Sequence, residues 1–137
     1  MITNPEYGWC DFKLGDFLGS PSYITDVAVD LLDAFIDYYN RGYGVAVFDE
    51  EGSEFTLVLT SYNYGIFIIE EKDNAILHDF SDMNVDDLAQ ELVSDIKGNL
   101  DGWYNFLVLS DEAENESYRT ELDKKIAELE NKLSIVL

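Results

Sequence analysis

Apolar residues recur along this chain at two different periods. From Asp26 to Tyr39 they fall at three- and four-residue steps. Ala28, Leu31, Leu32, Phe35 and Tyr39 share one face, which predicts a helix. Ser22 or Thr25 is placed to cap its start, because a hydroxyl there accepts a bond from an unpaired first-turn N–H. Arg41-Gly42 ends it, with Gly42 suited to a left-handed cap. Ahead of the helix, Trp9 to Leu18 reads as a short strand or irregular lead-in closed by Gly19-Ser20-Pro21.

The pattern then changes. Gly44–Phe48, Glu54–Ser61, Ile66–Glu71 and Ala75–Phe80 are short and rich in β-branched or aromatic residues. Turn residues separate them: Asp49-Glu50-Glu51-Gly52-Ser53, Asn63-Tyr64-Gly65 and Lys72-Asp73-Asn74. Connections this short cannot hold a crossover helix, so the expectation is an antiparallel meander of four strands. A second helix is expected from Asn84 to about Lys97, with Val85, Leu88, Leu92, Val93 and Ile96 on its apolar face. Asp86 and Asp87 in its first turn favour the dipole. Asn99 to Leu109 fits either a short helix or a last strand, and Asp111 to Glu116 reads as an acidic break. From Ser117 to Leu133 a third helix follows, with Leu122, Ile126, Leu129, Leu133 and Val136 at alternating four- and three-residue spacing. Glu121 with Lys125 and Glu128 with Lys132 support it as i,i+4 pairs. The sum is an α+β chain with helices on one face of a meander. Residues 1–116 form an acidic body, and 117–137 form a C-terminal helix that either docks on it or projects and self-associates into a homodimer.

Composition adds mainly charge. The 137 residues suit one domain, and 14% aromatic content sets the chain apart from disordered acidic tails. Against 29 Asp and Glu stand eight Lys and Arg, a formal net charge of -21. Such a charge repels nucleic-acid phosphates and anionic membrane surfaces and attracts basic proteins. A lone cysteine, no signal-like apolar run near the start and no long apolar stretch point to a soluble, cytoplasmic protein.

The acids stand in rows. Asp26, Asp30, Asp33 and Asp37 lie at steps of four, three and four, within a narrow arc over roughly 16 Å of helix. Asp87, Glu91 and Asp95 repeat the arrangement on the later helix. Asp49, Glu50, Glu51 and Glu54 crowd the first hairpin turn, and Glu70, Glu71 and Asp73 the third. Any one row is explained as a solvated face. Together they point to a surface for a basic partner, with Asp26, Asp30, Asp33, Asp37, Asp49, Glu50, Glu51 and Glu54 as the contact residues. Tyr38, Tyr39, Tyr43, Tyr62 and Tyr64, near element ends, are candidate interface anchors.

Catalytic chemistry is weakly signalled. Nothing selects one carboxylate pair for glycoside hydrolysis. Asp49-x-Glu51-x-Ser53 lacks the twelve-residue calcium-loop pattern, so no metal ligands are assigned. His78 reads as a packed strand residue and Cys10 as a small buried hydrophobe whose acidic neighbour raises its thiol pKa. Gly15-x-x-x-Gly19 has no following lysine and is no phosphate loop. No cofactor is expected.

Three stretches taken together resemble a known group: Gly15-Asp16-Phe17-Leu18-Gly19-Ser20-Pro21-Ser22-Tyr23-Ile24-Thr25-Asp26, then Phe48-Asp49-Glu50-Glu51-Gly52-Ser53-Glu54-Phe55, then a helix leading to Trp103. The arrangement resembles small acidic immunity proteins of bacterial polymorphic-toxin and contact-dependent inhibition systems. The resemblance implies a non-enzymatic inhibitor that binds and blocks a cognate toxin, often a nuclease, in the cytoplasm of the producing cell. Two other readings fit the same charge: a phage-encoded nucleic-acid mimic such as an anti-CRISPR or anti-restriction protein, and a self-associating scaffold.

Overall fold

The structure, a computed structural model, describes residues 1–61 and 65–136. The Asn63-Tyr64 part of the second meander turn lies outside these residues, as do Tyr62 and Tyr64 as anchors. The chain is α+β, and among the described residues there are two antiparallel sheets and four helices.

The first sheet joins β1 (Ile2–Glu6), β2 (Trp9–Leu14) and β3 (Phe17–Gly19) in that order. Where the sequence suggested one strand or a lead-in, there are three strands. Cys10, Phe12 and Leu14 alternate inward with Trp9, Asp11 and Lys13 outward. Two-residue turns link the strands. Tyr7 and Gly8 both have positive φ, and Gly15 (φ 56°) opens the second turn, as hairpins of matching twist require. β1 was hidden because Asn4 has positive φ and Pro5 follows it, and the pairing shifts register between Thr3 and Glu6.

The helix α1 (Val27–Arg41) follows, then the meander β4 (Tyr43–Asp49), β5 (Glu54–Thr60), β6 (Ile66–Glu71) and β7 (Ala75–Asp79), paired in sequence order. The four strands and the Gly42 cap (φ 86°) agree with the sequence pattern. The N-cap is Asp26 rather than Ser22 or Thr25: its carboxylate accepts the Val29 N–H at 3.3 Å. The meander's inner face carries Gly44, Ala46, Phe48, Phe55, Leu57, Leu59, Ile66 and Ile68, all buried. α1 covers part of it, and the first sheet fills the rest through Phe12 and Phe17. Their rings lie 4.9 Å and 5.1 Å from that of Phe55.

After the meander come α2 (Val85–Gly98), capped by Asn84, and the five-residue α3 (Leu100–Tyr104), which settles the ambiguous stretch and buries Trp103. The last helix, α4, runs from Glu112 to Val136, so the apparent acidic break is mostly its first turn. The Asp111 carboxylate accepts the Ala113 N–H at 2.8 Å, and Glu112 and Glu114 sit where the helix dipole favours anions. α4 docks rather than projects. Its stripe of Tyr118, Leu122, Ile126, Leu129 and Leu133 is buried where it packs on α1 and α2, so it is no free coiled-coil seam. Among the described residues no helix is long and apolar enough to cross a membrane.

α1 comes close to β4 backbone to backbone. A Cβ built at Gly44 would stand 1.8 Å from the carbonyl oxygen of Ala34, a backbone atom that cannot rotate away. At Gly98, by contrast, a Cβ meets nothing within 4 Å. Gly44→Ala is therefore expected to cost several kcal/mol or abolish folding, while Gly98→Ala gains about 0.5–1 kcal/mol from reduced unfolded-state freedom. Urea unfolding of the two variants beside the parent checks both signs.

Candidate functional site

The α1 carboxylates nominated by the sequence share one side of the helix, half-buried, with Asp26 and Asp33 bonded to α4 and Asp37 to Arg41 of α1 itself. α1 is apolar toward the meander and also toward α4, and Asp26, Asp30, Asp33 and Asp37 are all half-buried. Asp26 accepts the Tyr118 hydroxyl at 2.8 Å in addition to its capping bond. Lys125 of α4 reaches Asp33 at 2.6 Å, and Arg41 pairs with Asp37 at 2.9 Å. Burial raises the Asp26 carboxyl above its ordinary range, despite bonds from Tyr118 and Val29 that pull it down. Asp30 rises to about 6, first through burial and then through Asp26 and Asp33, with Lys125 opposing. A charge reversal at Asp30 and Asp33 would thus strike the α1–α4 seam.

The row on α2 is also engaged. Glu91 and Asp95 each accept the amino group of Met1 at 2.6 Å. Near it, Tyr39 donates its hydroxyl to Asp86.

The first hairpin turn is different. Glu50 is structural, accepting the Ser20 N–H at 2.8 Å and the Ser53 hydroxyl at 3.1 Å. Asp49 accepts the Glu51 N–H at 2.6 Å, which holds Glu51 at a positive φ of 57°. Glu54, however, stands between Asp49 on β4 and Glu71 on β6, both of them its register partners. Residues directly opposite on neighbouring strands share a face with Cβ atoms about 5 Å apart. Asp49, Glu54 and Glu71 therefore form a carboxylate row across three strands. A hydrogen bond with Glu71 and its charge push the Glu54 carboxyl up. Among the described residues no ion pair involves any of the three.

That row borders a surface that sequence reasoning missed. The meander's outward apolar positions are Tyr43, Val45 and Val47 on β4, Val58 on β5, Phe67 and Ile69 on β6, and Leu77 on β7, with Thr56, Thr60 and Asp79 among them. Tyr43 is 51%, Val45 50% and Leu77 64% exposed. The signal was present in the strands themselves: Val45-Ala46-Val47-Phe48 and Ile66-Phe67-Ile68-Ile69 are apolar at both parities, whereas a solvated sheet face alternates with polar residues.

The residues considered for catalysis are packed. His78 bonds Glu70 at 3.3 Å and lies against the rings of Phe17 and Phe80. Cys10 is buried, its thiol pushed up to about 12 by burial and then by Asp11. A cleft of about 320 Å³ beside α2 is lined in part by Tyr38, Ser61, Ser81, Asn84 and Asp86, with Asp86 its one carboxylate. Among the described residues no group of three or more His, Cys, Asp or Glu side chains is placed to hold a metal ion. No family model, no curated protein and no solved structure matches this chain.

The seam has a pH signature of defined sign. Asp30 titrates near 6 when folded and near its ordinary 3.8 when unfolded, so the folded chain binds this proton more tightly. Its contribution to stability is greatest below pH 3.8 and is lost as pH rises through about 6. Asp30→Asn is expected to stabilise the protein at pH 7.5 by about 1 kcal/mol, a figure reduced from the full shift because solvent screens a half-exposed carboxylate. The gain should vanish near pH 4, as read from urea midpoints across pH. Lys125→Met, which strands Asp33, should cost about 1–2 kcal/mol at neutral pH in the same assay.

Proposed function

We propose that this protein is a non-enzymatic acidic inhibitor that binds and blocks a basic protein, in the manner of an immunity protein neutralising a nuclease-type toxin. The observation that supports this reading is the charge left over after folding. Among the described residues five carboxylates pair with a lysine, an arginine or the Met1 amino group, Asp33, Asp37, Glu91, Asp95 and Glu130, while Glu70 bonds His78. The chain carries 29 Asp and Glu in all. A folded body with so many unpaired anions stores self-repulsion, which a cationic partner relieves on binding. Such a partner is steered in quickly at low salt, and its substrate-binding cleft, if it is a nuclease, is cationic for the same reason that it binds phosphates. The inhibitor then acts by covering that cleft and competing with nucleic acid.

The test is capture of tagged full-length protein from its native host's lysate at low and then moderate salt. The expected result is one basic toxin or nuclease, released as salt rises, whose purified activity is abolished by about one equivalent of this protein. Recovery of nothing, of the protein alone, or of a protein whose activity is unaffected would overturn the reading.

A further inference from the structure

The open face of the meander is organised by its register. One cross-strand row is Val45, Val58, Phe67 and Asp79; the next is Val47, Thr56, Ile69 and Leu77; the last is Asp49, Glu54, Glu71 and Ala75, three carboxylates and an alanine. α1 packs on the opposite side, against Gly44. Tyr43, Val45, Val47 and Leu77 on this face are 43% to 64% exposed, and a contiguous apolar patch rimmed by charged residues is the kind of surface that marks an interaction site. Aromatic residues at its centre and corner, Phe67 and Tyr43, are of the kind that anchors interfaces.

Charge decides what covers it. Like charges directly opposite on adjacent strands are destabilising, and Asp49, Glu54 and Glu71 stand opposite one another at the end of the apolar rows. A second copy would bring another net charge of -21 to the same place, and an anionic membrane would be repelled likewise. A cationic protein surface satisfies both halves of the face. We propose that the outward face of β4–β7 is a docking surface for a basic protein, which lays an apolar patch over Val45, Val47, Phe67 and Leu77 and sets lysine or arginine side chains against Asp49, Glu54 and Glu71. The sign of the partner's charge rests on the inhibitor reading above, while the location rests on the sheet.

The test uses the full-length ¹⁵N-labelled protein and three synthetic probes: an alternating lysine–valine octapeptide, an alternating glutamate–valine octapeptide, and an oligolysine of equal charge. The lysine–valine peptide is expected to shift the amides of β4–β7, with oligolysine shifting mainly those beside the acidic rows and the glutamate peptide shifting none. Val45→Lys with Leu77→Lys, both at exposed positions, should weaken the lysine–valine peptide at least tenfold. Glu54→Gln with Glu71→Gln should weaken it about threefold and flatten its salt dependence. Amide dispersion verifies that each variant is folded, and the milder Val47→Thr, expected to weaken binding about twofold, stands in for any that is not. Coincident footprints for the lysine–valine peptide and oligolysine, a footprint on α1 and α4, or concentration-dependent dimerisation through this face would each overturn the proposal. In the lysate experiment, a basic target held equally by the Val45→Lys, Leu77→Lys variant would remove this face and leave the inhibitor reading intact. A footprint on this face with no basic target recovered would do the reverse.

Discussion

The arrangement of the molecule depends on α1 being buried on two sides. Its apolar residues face the meander, where Gly44 lets the helix backbone come close, and also face α4, whose Leu122, Ile126 and Leu129 close over it. Carboxylates at four positions of a helix packed this way cannot all be left without partners. α4 supplies the Tyr118 hydroxyl to Asp26 and the Lys125 ammonium to Asp33. The C-terminal helix is therefore part of the body, and its polar residues are matched to the helix beneath it as well as its leucines.

α1 and α2 were legible because each is long enough to show one period without interruption, and the meander because turn residues punctuate its short β-branched and aromatic runs. The first sheet was less so. β2 alternates cleanly, but β1 contains Pro5 and a positive-φ asparagine, and a strand with such a kink has no two-residue period to read. α4 begins earlier than its pattern suggested because acidic residues at a helix start look the same as an acidic loop when only composition is considered. At the candidate surface, sequence reasoning found the acids and could not sort them. The α1 row was read as one uniform acidic face, yet Asp26 is a cap and Asp33 pairs with Lys125 of α4. Glu54 and Glu71, seventeen positions apart, are brought together only by the strand register. The exposed face went unread because apolar residues at both parities of a strand were taken simply as strand propensity.

The structure therefore divides the negative charge into two kinds. One kind is engaged within the molecule: caps, the bonds between α1 and α4, and the α2 pair around the Met1 amino group. The other lies outside and makes no ion pair among the described residues, and one group of it, Asp49, Glu54 and Glu71, borders an apolar surface. Only the second kind can act at a distance on another molecule, since fields from paired groups largely cancel.

The open sheet face also has a consequence for how the protein behaves by itself. An uncovered apolar sheet with a short, lysine-free edge strand, Ala75-Ile76-Leu77-His78-Asp79, is the kind of surface through which chains stack and precipitate. Colloidal repulsion between highly charged copies opposes that stacking. The large negative charge thus keeps copies apart at this bare sheet face, and concentrated salt, by screening that repulsion, is the condition under which the protein would come out of solution.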